Sequence, residues 1–182
     1  VFSQTLLSQT YLVPLSGSNT ATTCSGTVYD HAGTSNYSNS ASGTLTIYPQ
    51  TAGTYISLSF TSFSTESGYD PLYIYDGTST SAPLIGSWSG STSPGNVFAS
   101  NSSGALTLYF YTDGSVTSTG FEASISCVTS VPLADLIIQT PTVGSSSVAA
   151  GNPVSITYTA KNQGGALAAT NYTGFYLSTN NT

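Results

Sequence analysis

The chain has 182 residues, with a single Lys or Arg position against seven acids and a formal charge of −6. Phosphate and anionic-surface recognition both need clustered cations, so nucleic acid and a charged membrane surface are excluded as partners. Thirteen Tyr and seven Phe supply the apolar mass, and no window keeps the helical i, i+3, i+4, i+7 spacing, so the chain reads as all-β.

The length accommodates two small cores, and two β-sandwich domains are expected. No Met occurs, so the chain either begins after a processing site or is a fragment. The opening VFSQTLLSQTYLVPLSG has neither a basic n-region nor a continuous apolar core, and no stretch approaches the ~20 apolar residues of a membrane span. These features fit a mature secreted product. Residues 1–19 carry apolar side chains on both alternation phases (Phe2, Leu6, Leu7, Tyr11, Leu12, Val13, Leu15) and no charge. They read either as a buried strand pair or as an extended arm.

From Cys24 onward short strands alternate with turn clusters at the intervals of a sandwich. Strands are predicted at 43–48 (GTLTIY), 54–60 (TYISLSF), 72–75 (LYIY), 83–88 (PLIGSW), 105–111 (ALTLYFY) and 120–127 (GFEASISC). Cys24 and Cys127 flank this region. Paired, they close a long loop and imply an oxidising, extracellular or cell-surface location; two buried thiols are the other reading. Residues 129–134 read as a linker. Beyond it, DLIIQTPTV, SVAAGNPVSITYTAKNQGG and NYTGFYLSTNNT make three strand-and-turn units, too few to close a sandwich.

The acids are unevenly spread. TESGYDPLYIYDG holds Glu66, Asp70 and Asp76, and Asp113 opens the loop after ALTLYFY. If the strands LYIY and ALTLYFY are neighbours, Glu66, Asp70 and Asp113 converge at one end of the sandwich. Like charges at that range coexist only with a cation or protons, and loop carboxylates are how proteins hold Ca²⁺. The other reading is three unrelated solvated acids. Asp76, in the turn after LYIY, reads as a backbone-capping residue.

Residues 24–127 resemble a CUB domain through CSGTVYDHAGTSNYSN, ISLSFTSFSTESGYDPLYIYDGTS, PLIGSWSG and LTLYFYTDGSVTSTGFEASISC. Bacterial secreted members in particular look similar, with a Cys at each end. The resemblance implies a jelly-roll-like sandwich over residues 20–128 and a calcium site. Its ligands would be Glu66, Asp70 and Asp113, with Tyr37 supporting the Glu and the main-chain carbonyls of Ser115 and Val116 completing the shell. Residues 133–182 resemble the first half of a CARDB adhesion domain through ADL, AAGNPVSITYTAKNQGG and GFYLSTNN. That implies an incomplete Ig-like sandwich over 135–182.

Catalysis finds little support. His31 is the single His, but Asp30 beside it points to the opposite face of a strand, and no nucleophile elbow surrounds a Ser. One His and two Cys make no zinc set. Trp88 reads as core rather than as a sugar platform, and the sequons at Asn36, Asn101, Asn171 and Asn180 matter only in a glycosylating host. The function expected is a non-catalytic extracellular structural or adhesive protein with a calcium-stabilised domain, partnered by protein, with carbohydrate or another surface ligand as a further option. It self-associates into a homopolymer if the arm at 1–19 completes the open domain of the next subunit by strand addition, a head-to-tail contact that propagates. The alternative is a binding module of a larger secreted protease or glycosidase.

Overall fold

Alternating apolar residues lay down the strands, and the strands form two packed sheets. The computed structural model describes residues 9–130, 136–144, 149 and 152–162, and all its regular structure is β. In chain order the strands of the first unit are β1 (Thr10–Leu12), β2 (Ser16–Thr22), β3 (Thr27–Tyr29), β4 (Ser42–Tyr48), β5 (Tyr55–Ser64), β6 (Leu72–Tyr75), β7 (Leu84–Trp88), β8 (Asn96–Phe98), β9 (Leu106–Tyr111) and β10 (Gly120–Val128). One sheet has the order β1-β3-β10-β5-β8 and the other β2-β4-β9-β6-β7.

The core lies between them. Leu45 and Ile47 of β4, Leu72 and Ile74 of β6, and Leu106, Leu108 and Phe110 of β9 face inward from one sheet. Ile56 and Leu58 of β5 and Phe121, Ala123 and Ile125 of β10 face them from the other. In β5 the apolar phase slips from Ile56, Leu58 and Phe60 to Phe63. A bulge explains it: the register against β10 shifts between Glu122 and Ala123, so Ala123 pairs with Phe60 while Phe121 pairs with Phe63. An extra residue at that point lets both halves of the strand bury their apolar side chains. It also sets the exit of β5 toward the loop that carries Glu66.

Cys24 and Cys127 form a disulfide, with Cα atoms 4.9 Å apart at a sequence separation of 103. Closing a loop of this length stabilises the fold by about 4.7 kcal/mol in the chain-entropy account. Trp88 packs, partly buried, against the core, as expected for a lone Trp on a sandwich strand.

Residues 10–22 are strands of this sandwich and not a detached arm. β1 runs parallel to β3 and β2 parallel to β4, with Val13 between them fully buried. The carbonyl of Pro14 closes on Gly43, where a Cβ would fall 1.6 Å from that oxygen, so only glycine admits the crossing. Residues 1–8 lie outside the described residues.

The chain divides into a unit of residues 1–131 and a second of residues 132–182. In the second, β11 (Leu136–Val143) and β12 (Ile156–Asn162) pair antiparallel as a two-stranded sheet. Most of the residues that carry the CARDB resemblance, GFYLSTNN among them, lie outside the described residues.

Candidate functional site

One end of the sandwich gathers the acids, because β6 and β9 are hydrogen-bonded neighbours with Leu72 opposite Phe110. The loop entering β6 carries Glu66 and Asp70, the loop leaving β9 carries Asp113, and one carboxylate oxygen of each lies within 4.8 Å of the others.

Each acid is held differently. Asp70 is completely buried. Its Oδ2 accepts the Tyr37 hydroxyl at 2.7 Å and its Oδ1 accepts the Asp113 N–H at 2.8 Å. Asp70 therefore ties together the two loops whose acids it faces. Tyr37, 2% exposed and packed edge-on against Phe110, uses its hydroxyl twice: it donates to Asp70 and accepts the Glu66 N–H at 2.9 Å. Burial in the first place, and donation to the Asp70 carboxylate in the second, hold its phenol well above the ordinary value. It stays a donor at every physiological pH.

Glu66 is the discordant member. Its Oε2 is buried and has no hydrogen-bond partner, which native structures rarely tolerate. Burial and then the charges of Asp113 and Asp70 push its carboxyl above the usual range. Asp113 accepts the Ser115 N–H through Oδ1 at 2.9 Å, and its own carbonyl accepts the Ser40 N–H. Val116 follows with φ of +55°, a left-handed conformation that costs a non-glycine residue on the order of 1 kcal/mol.

Two supports are not legible as site residues in the sequence. Thr112, buried, accepts the Ala41 N–H at 2.8 Å and donates to the Ser38 carbonyl at 2.9 Å, so it fixes the strand end from which Asp113 projects. His31 accepts the Ser38 N–H on Nε2 at 2.8 Å and so anchors the loop that presents Tyr37. Burial keeps its imidazole below the ordinary pKa, which favours the neutral ring this bond requires. A Thr before an Asp-Gly turn and a His in a polar turn are too common to signal either role in advance.

Asp76 and Asp30 are structural. Asp76 accepts the Ser100 N–H and hydroxyl and the Asn101 N–H and side-chain amide, locking the turn after β6 to the turn before β9. Partial burial opposes ionisation there, but the Ser100 and Asn101 donors outweigh it and hold the carboxyl below its usual value. Asp30, completely buried, accepts the N–H groups of Ala32 and Phe121, and burial pushes it up to about 6. Gly120 opposite is obligatory, since a Cβ there would sit 1.7 Å from Asp30 Oδ2.

Comparison with known proteins adds three findings. Residues 17–125 match the family described as CUB domain. Tolloid-like protein 2 of Mus musculus is 43% identical over 77 residues, which is 40% of this chain and 7% of that protein. Multiple epidermal growth factor-like domains protein 8 of Rattus norvegicus is 44% identical over 69 residues, 38% of this chain and 2% of the relative. The chain thus spans less than a tenth of the length of either. Among solved structures, the MASP-1 CUB2 domain bound to Ca²⁺ superposes with a TM-score of 0.50 at 23% identity, covering 59% of this chain and 96% of that one. At that identity the likeness is one of fold.

Proposed function

We propose that this chain, which belongs to the CUB family, is an extracellular, non-catalytic binding module whose acidic end holds a calcium ion. The observation that carries the reading is the buried, unpartnered Oε2 of Glu66 beside two other carboxylates. Oxygens that share one Ca²⁺ at 2.3–2.6 Å lie at most about 5 Å apart, and the three acids fall within 4.8 Å. Glu66, Asp70 and Asp113 would supply the charged ligands. The carbonyls of Asp113 and Gly114 are already engaged by Ser40 and Asn39, so Ser115 and Val116 are the main-chain candidates on that loop. Tyr37 would position Asp70 and the backbone of Glu66 without binding the ion itself. A bound divalent cation supplies the positive charge that lets three carboxylates share one site.

The ion's role is cohesion: it joins the loop before β6 to the loop after β9 and so fixes the surface they form. That surface exposes Tyr69 and Val116, at 61% and 60%, next to the acids, a combination suited to a protein partner. With free calcium ~100-fold above its dissociation constant, folding gains about 2.7 kcal/mol, or a rise in Tm of roughly 5–10 °C. Thermal denaturation of the 182-residue chain with calcium and with EDTA measures it; coincident curves, with no calcium heat in titration calorimetry, refute the reading.

The same relatives favour a module within a longer protein over a self-sufficient one, because the matched stretch is under a tenth of each of them. The arm-exchange route to a fibre loses most of its donor strand: residues 10–19 already pair inside their own sandwich. Any donor would have to come from residues 1–8.

A further inference from the structure

One loop, residues 37–40, reaches both sides of the acidic end. The Tyr37 hydroxyl serves Asp70 and the Glu66 N–H, while the Asn39 side-chain amide donates to the Gly114 carbonyl at 3.2 Å and the Ser40 N–H to the Asp113 carbonyl at 2.6 Å. The loop is in turn fastened at three points. The Tyr37 N–H donates to the Ser118 carbonyl at 3.1 Å, the Ser38 carbonyl accepts the Thr112 hydroxyl at 2.9 Å, and the Ser38 N–H donates to His31 Nε2 at 2.8 Å. Only the last of these involves a side chain of the type that changes charge between roughly pH 5 and 8.

A ring nitrogen that accepts a hydrogen bond carries no proton, so the neutral imidazole holds its proton on Nδ1. That atom is buried and has no hydrogen-bond partner among the described residues. The ring is already short of one acceptor. A second proton turns Nε2 into a donor facing the Ser38 donor, and it sets a charge and two unmatched N–H groups beside Phe110, whose ring centroid lies 6.4 Å away, an arrangement that burial penalises. No neighbouring acid offsets it. Beside His31 in the chain, Asp30 gives its carboxylate to the N–H groups of Ala32 and Phe121. Tyr37 donates its hydroxyl to Asp70. On β9 and just past it, Tyr109 stacks on Tyr73, Tyr111 is exposed, and Asp113 accepts the Ser115 N–H. Burial is the cause of the lowered His31 pKa, with no charge contributing.

We propose that His31 is an acid-sensitive latch on the loop 37–40, closed when the ring is neutral and open when it is protonated, and that its opening loosens the grip on calcium. The second half rests on the calcium reading; the first does not. The sign follows from burial. The folded chain holds the His31 proton less tightly than the unfolded chain, so the closed loop loses stability as pH falls through the ordinary 6.5 toward the lower folded value. All three acids lose support together, because Tyr37 holds Asp70 and the Glu66 backbone while Asn39 and Ser40 hold the loop of Asp113. Coupling between two sites is reciprocal, so calcium in turn should lower the His31 midpoint by the same factor.

Two measurements on the full chain test it. In EDTA, an NMR titration should show the Ser38 amide moving with the His31 ring at one midpoint below 6.5. In His31→Gln, whose amide oxygen accepts the same bond without taking a proton, the Ser38 amide should lose that transition. Calorimetric titration with calcium from about pH 7.5 to about pH 5.5 should show affinity falling about fivefold further in the unaltered chain than in His31→Gln, since protonation of the carboxylates is common to both. Asp30→Asn, which removes the group titrating at about 6, should leave that difference in place. A Ser38 amide indifferent to the His31 ring, or the same pH dependence of calcium affinity in both chains, overturns the latch. Absence of calcium binding at every pH sinks the calcium reading alone, and the Ser38 titration then decides the latch by itself.

Discussion

Strand β6 has a carboxylate beyond each end, and the two are treated in opposite ways. Asp76 follows it and receives donors from Ser100 and Asn101, two from the backbone and two from side chains. Asp70 precedes it, roughly 20 Å away along the strand, and receives two donors, while its neighbour Glu66 keeps a buried oxygen that receives none. One pole of the sandwich has donors enough for its acid; the other has acids in excess of its donors. Where negative charge is satisfied internally it shapes backbone, and where it is left over a cation or protons must offset it.

Substitution can break that contrast. Asp70→Ala has the largest expected effect. It strands the Tyr37 hydroxyl and the Asp113 N–H inside the protein, costing about 3 kcal/mol, and it should abolish any calcium-dependent rise in Tm. Asp76→Ala should cost somewhat less, about 2 kcal/mol, and leave the calcium response intact. Calorimetry of both variants with calcium and EDTA distinguishes the poles; equal calcium responses would erase the distinction.

The smallest effect sharpens the comparison with a third acid. Asp30 is buried like Asp70 but accepts from backbone N–H groups, those of Ala32 and Phe121 among them. Its folded value of about 6 lies above the ordinary 3.8, so the folded state binds this proton more tightly than the unfolded one. Its contribution is thus favourable in acid and is lost as pH rises from about 4 through 6. In EDTA, Asp30→Asn should flatten that part of the stability–pH profile by on the order of 1 kcal/mol. An unchanged slope would show that the carboxyl titrates normally.

Legibility differs between the same regions. LTLYF and TIY announce their strands because Leu106, Leu108, Phe110 and Ile47 alternate, and the structure buries all four. The strands at 10–12, 27–29 and 96–98 are three residues each, too short to show a period. β2 escapes for another reason: an edge strand with one buried side chain, Ala21, has no apolar pattern to display. The slip from Phe60 to Phe63 is visible in the sequence, but without its partner β10 nothing marks it as a bulge.

The sequence by itself determined that the chain is all-β, poor in cations, and furnished with Glu66, Asp70 and Asp113 on loops beside strong strands, since composition and alternation are local properties. Only the tertiary structure decided that β6 lies against β9, that Tyr37 reaches Asp70, and that residues 10–22 join the sandwich. Those outcomes depend on which strands become neighbours, and that choice is made by burying the two sheets' apolar faces together, a sum over the whole core that no short stretch contains.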